Sequence, residues 1–139
     1  MTKSKDEGGR MKDEVKQGAE RDLVGRTKRF ALEVIMFYST LPSTTVRQVL
    51  GRQLLRSATS VGAHYREAQR AKSGADFVSK IEGALQELDE TGYWLELLEE
   101  SGNAAANAVK HPQKENQELL KIFVTIAKSS KTQSRKGTK

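Results

Sequence analysis

The 139-residue sequence contains no cysteine, only two prolines and a single tryptophan. The absence of cysteine excludes structural disulfides, thiolate catalysis, cysteine-ligated zinc and iron-sulfur clusters. The shortage of proline and the abundance of Ala, Leu, Glu, Lys and Arg favour helix over sheet. No apolar run reaches the roughly 18 to 20 residues of a membrane span, and the first 20 residues lack the apolar core of a signal peptide. We therefore expect a soluble, cytoplasmic protein with no membrane segment.

The net charge of the sequence is +6, and the position of the excess positive charge along the chain indicates which segment is basic. Residues 1–20 are balanced, and residues 21–127 hold 14 basic and 13 acidic side chains. Residues 128–139 hold five basic side chains and no acid, namely Lys128, Lys131, Arg135, Lys136 and Lys139. The basic character therefore comes mainly from the C-terminal tail.

Composition divides the chain into three parts. Residues 1–20 are polar and aperiodic, which predicts a disordered segment. Residues 21–129 show helical periodicity and predict the folded domain, and residues 130–139 predict a disordered basic tail. A first helix is expected to begin near Asp22 and to end at Leu41, because the residue before Pro42 is driven out of the helical region. Its apolar face is formed by Leu23, Phe30, Val34, Phe37 and Leu41.

A second helix is predicted from about Thr44 to Ala71, with Ser43, Thr44 and Thr45 all offering N-cap hydroxyls. Its apolar stripe is Val46, Leu50, Leu54, Val61, Tyr65 and Ala68. The opposite side carries the arginine ridge, which we define as Arg52, Arg56, Arg66 and Arg70. Two interpretations of the ridge are open. It forms a groove for phosphates, or it pairs with acids of the third helix or of a neighbouring subunit, and the second interpretation is the one that we favour.

A third helix is predicted from the Ser73 cap to about Ser101, where Gly102 ends it. Its core stripe is Phe77, Ile81, Ala84, Leu85, Leu88, Gly92 and Leu95. Near its end, Tyr93, Trp94, Leu97 and Leu98 widen the apolar surface beyond one stripe. Tyr93 and Trp94, with Leu97 beside them, belong either to the intrachain core or to an oligomer interface, where aromatic residues are enriched. We favour the interface.

A fourth helix is predicted from about Gln113 to Ser129, after a linker that ends at His111-Pro112. Four amphipathic segments on short connections predict an all-α, antiparallel up-down-up-down four-helix bundle, and the surplus apolar face predicts a homo-oligomer. Charge supports the pairing of the central helices. Residues 44–72 hold six basic side chains and one acidic one, whereas residues 73–101 hold one basic and eight acidic ones.

Catalytic patterns are missing from the sequence. Its two histidines are His64 and His111, and it has neither a glycine-rich phosphate loop nor the paired Glu-x-x-His of di-iron bundles. We interpret His64 as an ordinary packed or surface residue. The recurrence of Glu82, Asp89 and Glu96 every seven residues is typical of a solvated or arginine-facing stripe. We therefore expect no enzymatic activity, no cofactor and no metal site.

Three segments resemble the four-helix-bundle proteins encoded within intervening sequences of bacterial 23S ribosomal RNA genes. The segments are residues 53–68 (QLLRSATSVGAHYREA), 76–81 (DFVSKI) and 90–98 (ETGYWLELL), and the resemblance covers about residues 22–127. It implies a closed bundle that assembles as a homopentamer without enzymatic activity. His64 stands where the family usually has Asn, which puts the helix-helix hydrogen bond of that Asn in question. The structurally similar accessory variability determinant of diversity-generating retroelements is a pentameric barrel that binds a reverse transcriptase and nucleic acid.

The functional hypothesis is a non-enzymatic, ring-forming protein that binds RNA or DNA, or a nucleic-acid enzyme such as a reverse transcriptase. The candidate contacts are the arginine ridge and the basic side chains of the tail. The tail has a second interpretation, in which it only solubilises the protein. The alternative function is a protein-protein scaffold or regulator that binds no nucleic acid.

Overall fold

Four α-helices and no strand make up the chain between residues 22 and 137, the part that the computed structural model describes. They are α1 (Leu23–Ser39), α2 (Thr45–Gln69), α3 (Gly74–Glu100) and α4 (Ala106–Gly137). The predicted all-α class is confirmed. The segment 1–20, predicted to be disordered, lies outside the described residues. Within this part of the chain, no helix is long and apolar enough to cross a membrane.

Local capping explains where the central helices begin and end. The Thr44 hydroxyl accepts a hydrogen bond from the Arg47 amide at 3.2 Å, and the Ser73 hydroxyl accepts one from the Asp76 amide at 3.1 Å. Gly102 adopts a φ of +76°, and the Asn103 amide donates to the Leu98 carbonyl at 2.9 Å. This left-handed glycine terminates α3. The three predicted helix boundary signals are confirmed.

The fourth helix is longer at both ends than the sequence predicts. It begins at Ala106, so that His111 and Pro112 lie inside the helix and not in a linker. Pro112 removes a single amide donor, and this loss is offset because both Val109 and Pro112 are buried against the core. Its far end reaches Gly137 instead of Ser129, because no glycine or proline interrupts residues 130–136. The predicted disordered tail therefore overlaps a helical segment.

The core forms between consecutive helices and between α1 and α4. Within residues 22–137, no Cα atom of α1 lies within 8 Å of a Cα atom of α3, and none of α2 lies within 8 Å of one of α4. The helices therefore stand at the corners of a square, with α1 and α3 on one diagonal. Across the second diagonal, the Tyr65 and Phe123 rings pack edge to face with their centroids 5.7 Å apart. The largest fully buried side chains are Phe30, Phe123, Leu23, Leu54, Ile81, Leu88, Leu95, Leu98 and Leu119. Most of the predicted core positions are buried, so the helical periodicity identified the inward faces of all four helices.

Val46 is an exception, since it was placed in the apolar stripe of α2 and is half-exposed. The eight residues between Val46 and Leu54 rotate its side chain by roughly 80° away from the buried direction at 3.6 residues per turn. Val46 therefore lies at the edge of the stripe, in the first turn of the helix.

Close contacts between small and polar residues fix the relative heights of the helices. The Tyr38 ring packs directly on Gly51, and Thr27 packs on Gly62. On the other side of α2, the side chain of Arg47 donates to the Asn103 carbonyl at 2.8 Å, which places the start of α2 beside the end of α3.

Two buried polar contacts connect α3 to its neighbours. The Thr91 hydroxyl lies 2.8 Å from the Ser57 hydroxyl on α2. The Asn116 amide on α4 donates to the Leu88 carbonyl at 3.0 Å, and the absence of a side chain at Gly92 leaves room for it. Since buried polar groups are stable only when they are paired, these contacts select one register for α2, α3 and α4.

Candidate functional site

The arginine ridge lies along the exposed side of α2, and its four members differ in their partners. Arg56 is held by two carboxylates of α3: its guanidinium lies 3.1 Å from a Glu87 oxygen and 2.7 Å from a Glu90 oxygen. Glu87 is buried, so Arg56 balances a carboxylate that is withdrawn from water. A hydrogen bond with Glu87 raises the pKa of Glu90, and the charge of Arg56 opposes that shift.

The other three ridge arginines are exposed and unpaired. Arg52, Arg66 and Arg70 have no carboxylate within salt-bridge distance among the residues from 22 to 133, whose side chains are described. Their guanidinium groups are permanently charged and present donors that match phosphate oxygens. The ridge therefore divides between the two interpretations, pairing with acids and binding phosphates. Arg56 pairs with the third helix, whereas three arginines face solvent.

A shallow groove runs between α1 and α2 beside the ridge. Its volume is about 260 Å³, and its lining includes Thr59, Gly62 and Ala63, with Lys28 and Arg66 contributing positive charge. The small side chains of α2 leave the groove open, and two cations flank a floor on which an extended polyanion can rest. Lys28 was not among the candidate nucleic-acid contacts predicted from the sequence. Its position beside Arg66 depends on the packing of α1 against α2.

The structure describes the side chains of two of the five tail residues that were predicted to contact nucleic acid. Lys128 and Lys131 are exposed on α4, and Lys131 forms a salt bridge with Glu82 of α3. Lys128 lines a shallow surface depression together with Thr125, Ser129, Thr132 and Gln133. The backbone of Arg135 and Lys136 is helical, but their side chains lie outside the described part, and Lys139 lies outside it entirely.

The aromatic residues near the end of α3 reach the surface. Tyr93 is 54% exposed, whereas Trp94 and Leu97 are half-buried. The Tyr93 and Trp94 rings lie 5.1 Å apart at an angle of 59°. The indole nitrogen of Trp94 is buried and has no acceptor within the described part of the chain. We call Tyr93, Trp94 and Leu97 the α3 face, and their role in an oligomer interface stays a prediction.

A second apolar surface lies on α1 and was missed by the sequence analysis. Leu32 is 50% exposed, Met36 is 70% exposed, and Ile35 lies between them. We call these three residues the α1 face. Their i, i+3, i+4 spacing is a helical signal that was available in the sequence, but the stronger stripe through Phe30 and Val34 drew the assignment to the opposite side of the helix. Val46 and Val49 on α2 are exposed as well.

The two histidines occupy different environments. His64 is half-buried beside Gly83, its Nδ1 atom has no hydrogen-bond partner in the described residues, and its distance to the Glu67 carboxylate is 3.8 Å. His111 Nδ1 lies 2.7 Å from a Glu33 oxygen, which joins α4 to α1. Between residues 22 and 133, no three His, Asp or Glu side chains gather in a group that could hold a metal ion.

Between residues 22 and 137, these features define an all-helical fold of four helices whose surface carries unpaired arginines on one side and apolar residues on two others. The family model described as 23S rRNA-intervening sequence protein matches residues 20–125, and the chain belongs to this family. The predicted resemblance is therefore confirmed.

A solved structure supports the same assignment. The chain is similar to a crystal structure of a protein with unknown function from the S23 ribosomal protein family of Bacteroides thetaiotaomicron. The two sequences are 35% identical, the TM-score is 0.71, and the match covers 76% of this chain and 97% of the other. No curated protein matches the chain.

Proposed function

We propose that this protein is a non-enzymatic, ring-forming helical bundle that binds nucleic acid through the exposed side of α2. The observation that carries the proposal is a set of exposed cations without carboxylate partners among the described side chains: Arg52, Arg66 and Arg70 on α2, and Lys28, which lines the α1–α2 groove with Arg66. Cations without carboxylate partners are free to neutralise phosphates and to release condensed counterions. A nucleic-acid enzyme such as a reverse transcriptase is the other partner compatible with a basic surface.

The proposed scaffold is an antiparallel, up-down-up-down bundle. Three sets of contacts support this arrangement: Tyr38 with Gly51, Thr27 with Gly62, and Arg47 with Asn103. In the α1–α2 and α2–α3 pairs, a residue near the start of one helix lies beside a residue near the end of the other. Short connections between consecutive helices favour the same topology.

Contacts with the nucleic-acid backbone dominate the proposed binding mode. The ridge offers guanidinium groups on a convex helix face, and the groove beside it is shallow, so neither feature encloses a base. Phosphate contacts position a protein on nucleic acid but carry no sequence information directly. We therefore expect similar affinities for RNA of different sequences, and binding that weakens as salt is added.

Self-assembly is the second part of the proposal. The family resemblance implies a homopentamer, and the exposed α1 and α3 faces support association because contiguous apolar surface is rarely left uncovered. Several copies of a modest cationic surface give an avidity that one copy lacks. Light scattering on the purified protein measures the subunit number, with five expected.

Fluorescence anisotropy with a labelled single-stranded RNA tests the binding. Titrations at two salt concentrations should give a dissociation constant that rises with salt. In a plot of log Kd against log salt concentration, the slope should be about 0.7 for each phosphate neutralised. Absence of binding at low salt, or an affinity that salt leaves unchanged, would contradict the proposal.

A protein-protein scaffold or regulator is the competing function. The salt bridges of Arg56 and Lys131 favour it, because these two basic side chains already have partners on α3. A scaffold of this kind should assemble normally and should show no salt-dependent retention of RNA.

A further inference from the structure

We propose that neighbouring copies of this chain meet through two different surfaces, the α1 face of one copy and the α3 face of the next. The inference rests on the proposed bundle and its self-assembly, and it names the partner of each face. Such a contact is heterologous, since each copy contributes one surface of each kind. Heterologous contacts close into a ring when the rotation between copies allows it.

The first argument is the position of the two faces around the bundle. The α1 and α3 helices occupy opposite corners, because within residues 22–137 no Cα atom of one lies within 8 Å of a Cα atom of the other. Leu32 and Met36 project outward at one corner, and Tyr93 projects outward at the other. One chain cannot cover both faces with itself. A copy placed alongside covers the α3 face of its neighbour with its own α1 face.

The second argument is the height of the α1 and α3 faces along the bundle axis. Tyr38 packs on Gly51 and Thr27 on Gly62, so each residue gained along α1 is matched by one residue lost along α2. Leu32 is therefore level with Ser57. Because the Ser57 hydroxyl is bonded to Thr91, Leu32 is also level with Thr91, and Met36 is about one turn further along with Leu95. The two faces occupy the same height, so a sideways shift without sliding brings them together.

The third argument is charge. Lys28 lies one turn before Leu32 and lines the α1–α2 groove, and Glu90 lies about one turn before Tyr93 and accepts a hydrogen bond from Arg56 of α2. Since α1 and α3 run in the same direction in the proposed bundle, the shifted copy places Lys28 near Glu90. Opposite charges at matching height favour the α1–α3 pairing over contacts between two α1 faces or two α3 faces.

One consequence concerns the nucleic-acid surface. The α1–α3 contacts occupy two opposite corners of every subunit and leave the outer sides of α2 and α4 uncovered. Because all copies are related by the same rotation, every arginine ridge faces the same side of the assembly. The cations of successive copies thereby form one continuous basic surface.

The test uses two variants of the full chain, each with one damaged face. The first variant combines Leu32→Glu with Met36→Glu, and the second combines Tyr93→Glu with Leu97→Glu. A control combines Val124→Glu with Thr125→Glu on α4, which adds the same charge away from both faces, at side chains that are exposed. Circular dichroism establishes that each variant retains the helical content of the parent, and light scattering gives its mass.

The expected result is an oligomeric parent and control, and a monomer for each face variant. Mixing the two face variants should give a one-to-one heterodimer, because the mixture holds one intact α1 face and one intact α3 face. A monomeric parent, variants that still assemble, or face variants that stay monomeric when they are mixed would overturn the inference. None of these masses depends on RNA, so failure of the proposed RNA binding is detected separately by titration.

Discussion

The hydroxyls of Thr91 and Ser57 lie 2.8 Å apart in the buried interface between α3 and α2. The Thr91 hydroxyl is also within 2.7 Å of the Glu87 carbonyl, and the Ser57 hydroxyl donates to the Leu54 carbonyl at 3.1 Å. A shift of one helix by a turn would break the bond between the two hydroxyls and leave each with only the carbonyl of its own helix. This pair therefore fixes the register of α2 against α3, which sets Arg56 opposite Glu87. The same register sets the height of the α3 face relative to the α1 face.

Removal of the Thr91 hydroxyl should weaken the fold. In Thr91→Val the side chain keeps its shape and loses the bond to Ser57, so we expect the free energy of unfolding to fall by about 1 kcal/mol. Urea denaturation followed by circular dichroism measures the change. Thr125→Val is the matched control, because Thr125 makes a similar bond to the Lys121 carbonyl on an exposed face. An equal loss for both variants would show that burial does not strengthen the Thr91 contact.

The close packing of α1 on α2 should make Gly51 intolerant of a side chain. A Cβ atom there would come within 2.1 Å of the Tyr38 ring, so Gly51→Ala forces the ring aside and should cost about 1–3 kcal/mol. Gly25→Ala is the control, since its new Cβ meets mainly the mobile end of Asp22 and gains up to about 1 kcal/mol of helix propensity. Thermal denaturation compares the two. A stabilised Gly51→Ala protein would contradict the described contact.

The ridge should separate into one structural and three binding arginines. We expect the triple substitution Arg52→Gln, Arg66→Gln and Arg70→Gln to leave stability within about 0.5 kcal/mol of the parent, since these side chains are exposed. It should weaken RNA binding and lower the salt slope by about 0.7 for each lost phosphate contact. Anisotropy titrations at several salt concentrations measure both quantities.

Arg56→Gln should show the reverse pattern. The substitution leaves the buried Glu87 carboxylate without its main cation, and we expect a loss of about 1–2 kcal/mol because Arg56 itself is half-exposed. RNA affinity should change less than in the triple variant. A triple variant that binds RNA as the parent does, or an Arg56→Gln protein that loses all binding, would reverse this assignment.

Features of the fold that depend on residues close together in the sequence were predicted more accurately than features that depend on tertiary contacts. Local signals predicted four helices and their caps, since Thr44, Ser73 and Gly102 act within one turn. The start of α4 was misplaced because Pro112 normally marks a boundary, whereas here burial holds the helix on both sides of it. A single sequence shows the local rule and not the tertiary contact that overrides it.

The site was less predictable than the fold for the same reason. The ridge is visible as a pattern in the sequence, but the separation of Arg56 from its neighbours depends on which carboxylates α3 brings within reach. The partnership of Lys28 with Arg66 depends on how α1 lies against α2. Both are consequences of register, which is set by contacts between residues far apart in the sequence, such as Ser57 and Thr91.

Removal of residues 128–139 distinguishes nucleic-acid binding from a pure scaffold. Ala127 is the last buried side chain among the residues up to 133, the range whose side chains are described. The truncation therefore spares the described core and removes five basic residues together with the Lys131–Glu82 salt bridge. We expect the truncated protein to assemble as the parent does and to bind RNA more weakly, with a smaller salt slope. RNA retention that is identical before and after truncation would assign the tail a solubilising role.

The most direct test of the account compares RNA affinity in the assembled and the monomeric protein. The Leu32→Glu, Met36→Glu variant keeps every ridge arginine and should lose only assembly, and the Val124→Glu, Thr125→Glu variant carries the same added charge. Under one salt condition, we expect the α1-face variant to bind a long RNA about 10²- to 10⁴-fold more weakly than the control, because avidity is lost. Equal affinities for the monomer and the assembled control would contradict the claim that assembly of the cationic ridges creates the binding surface.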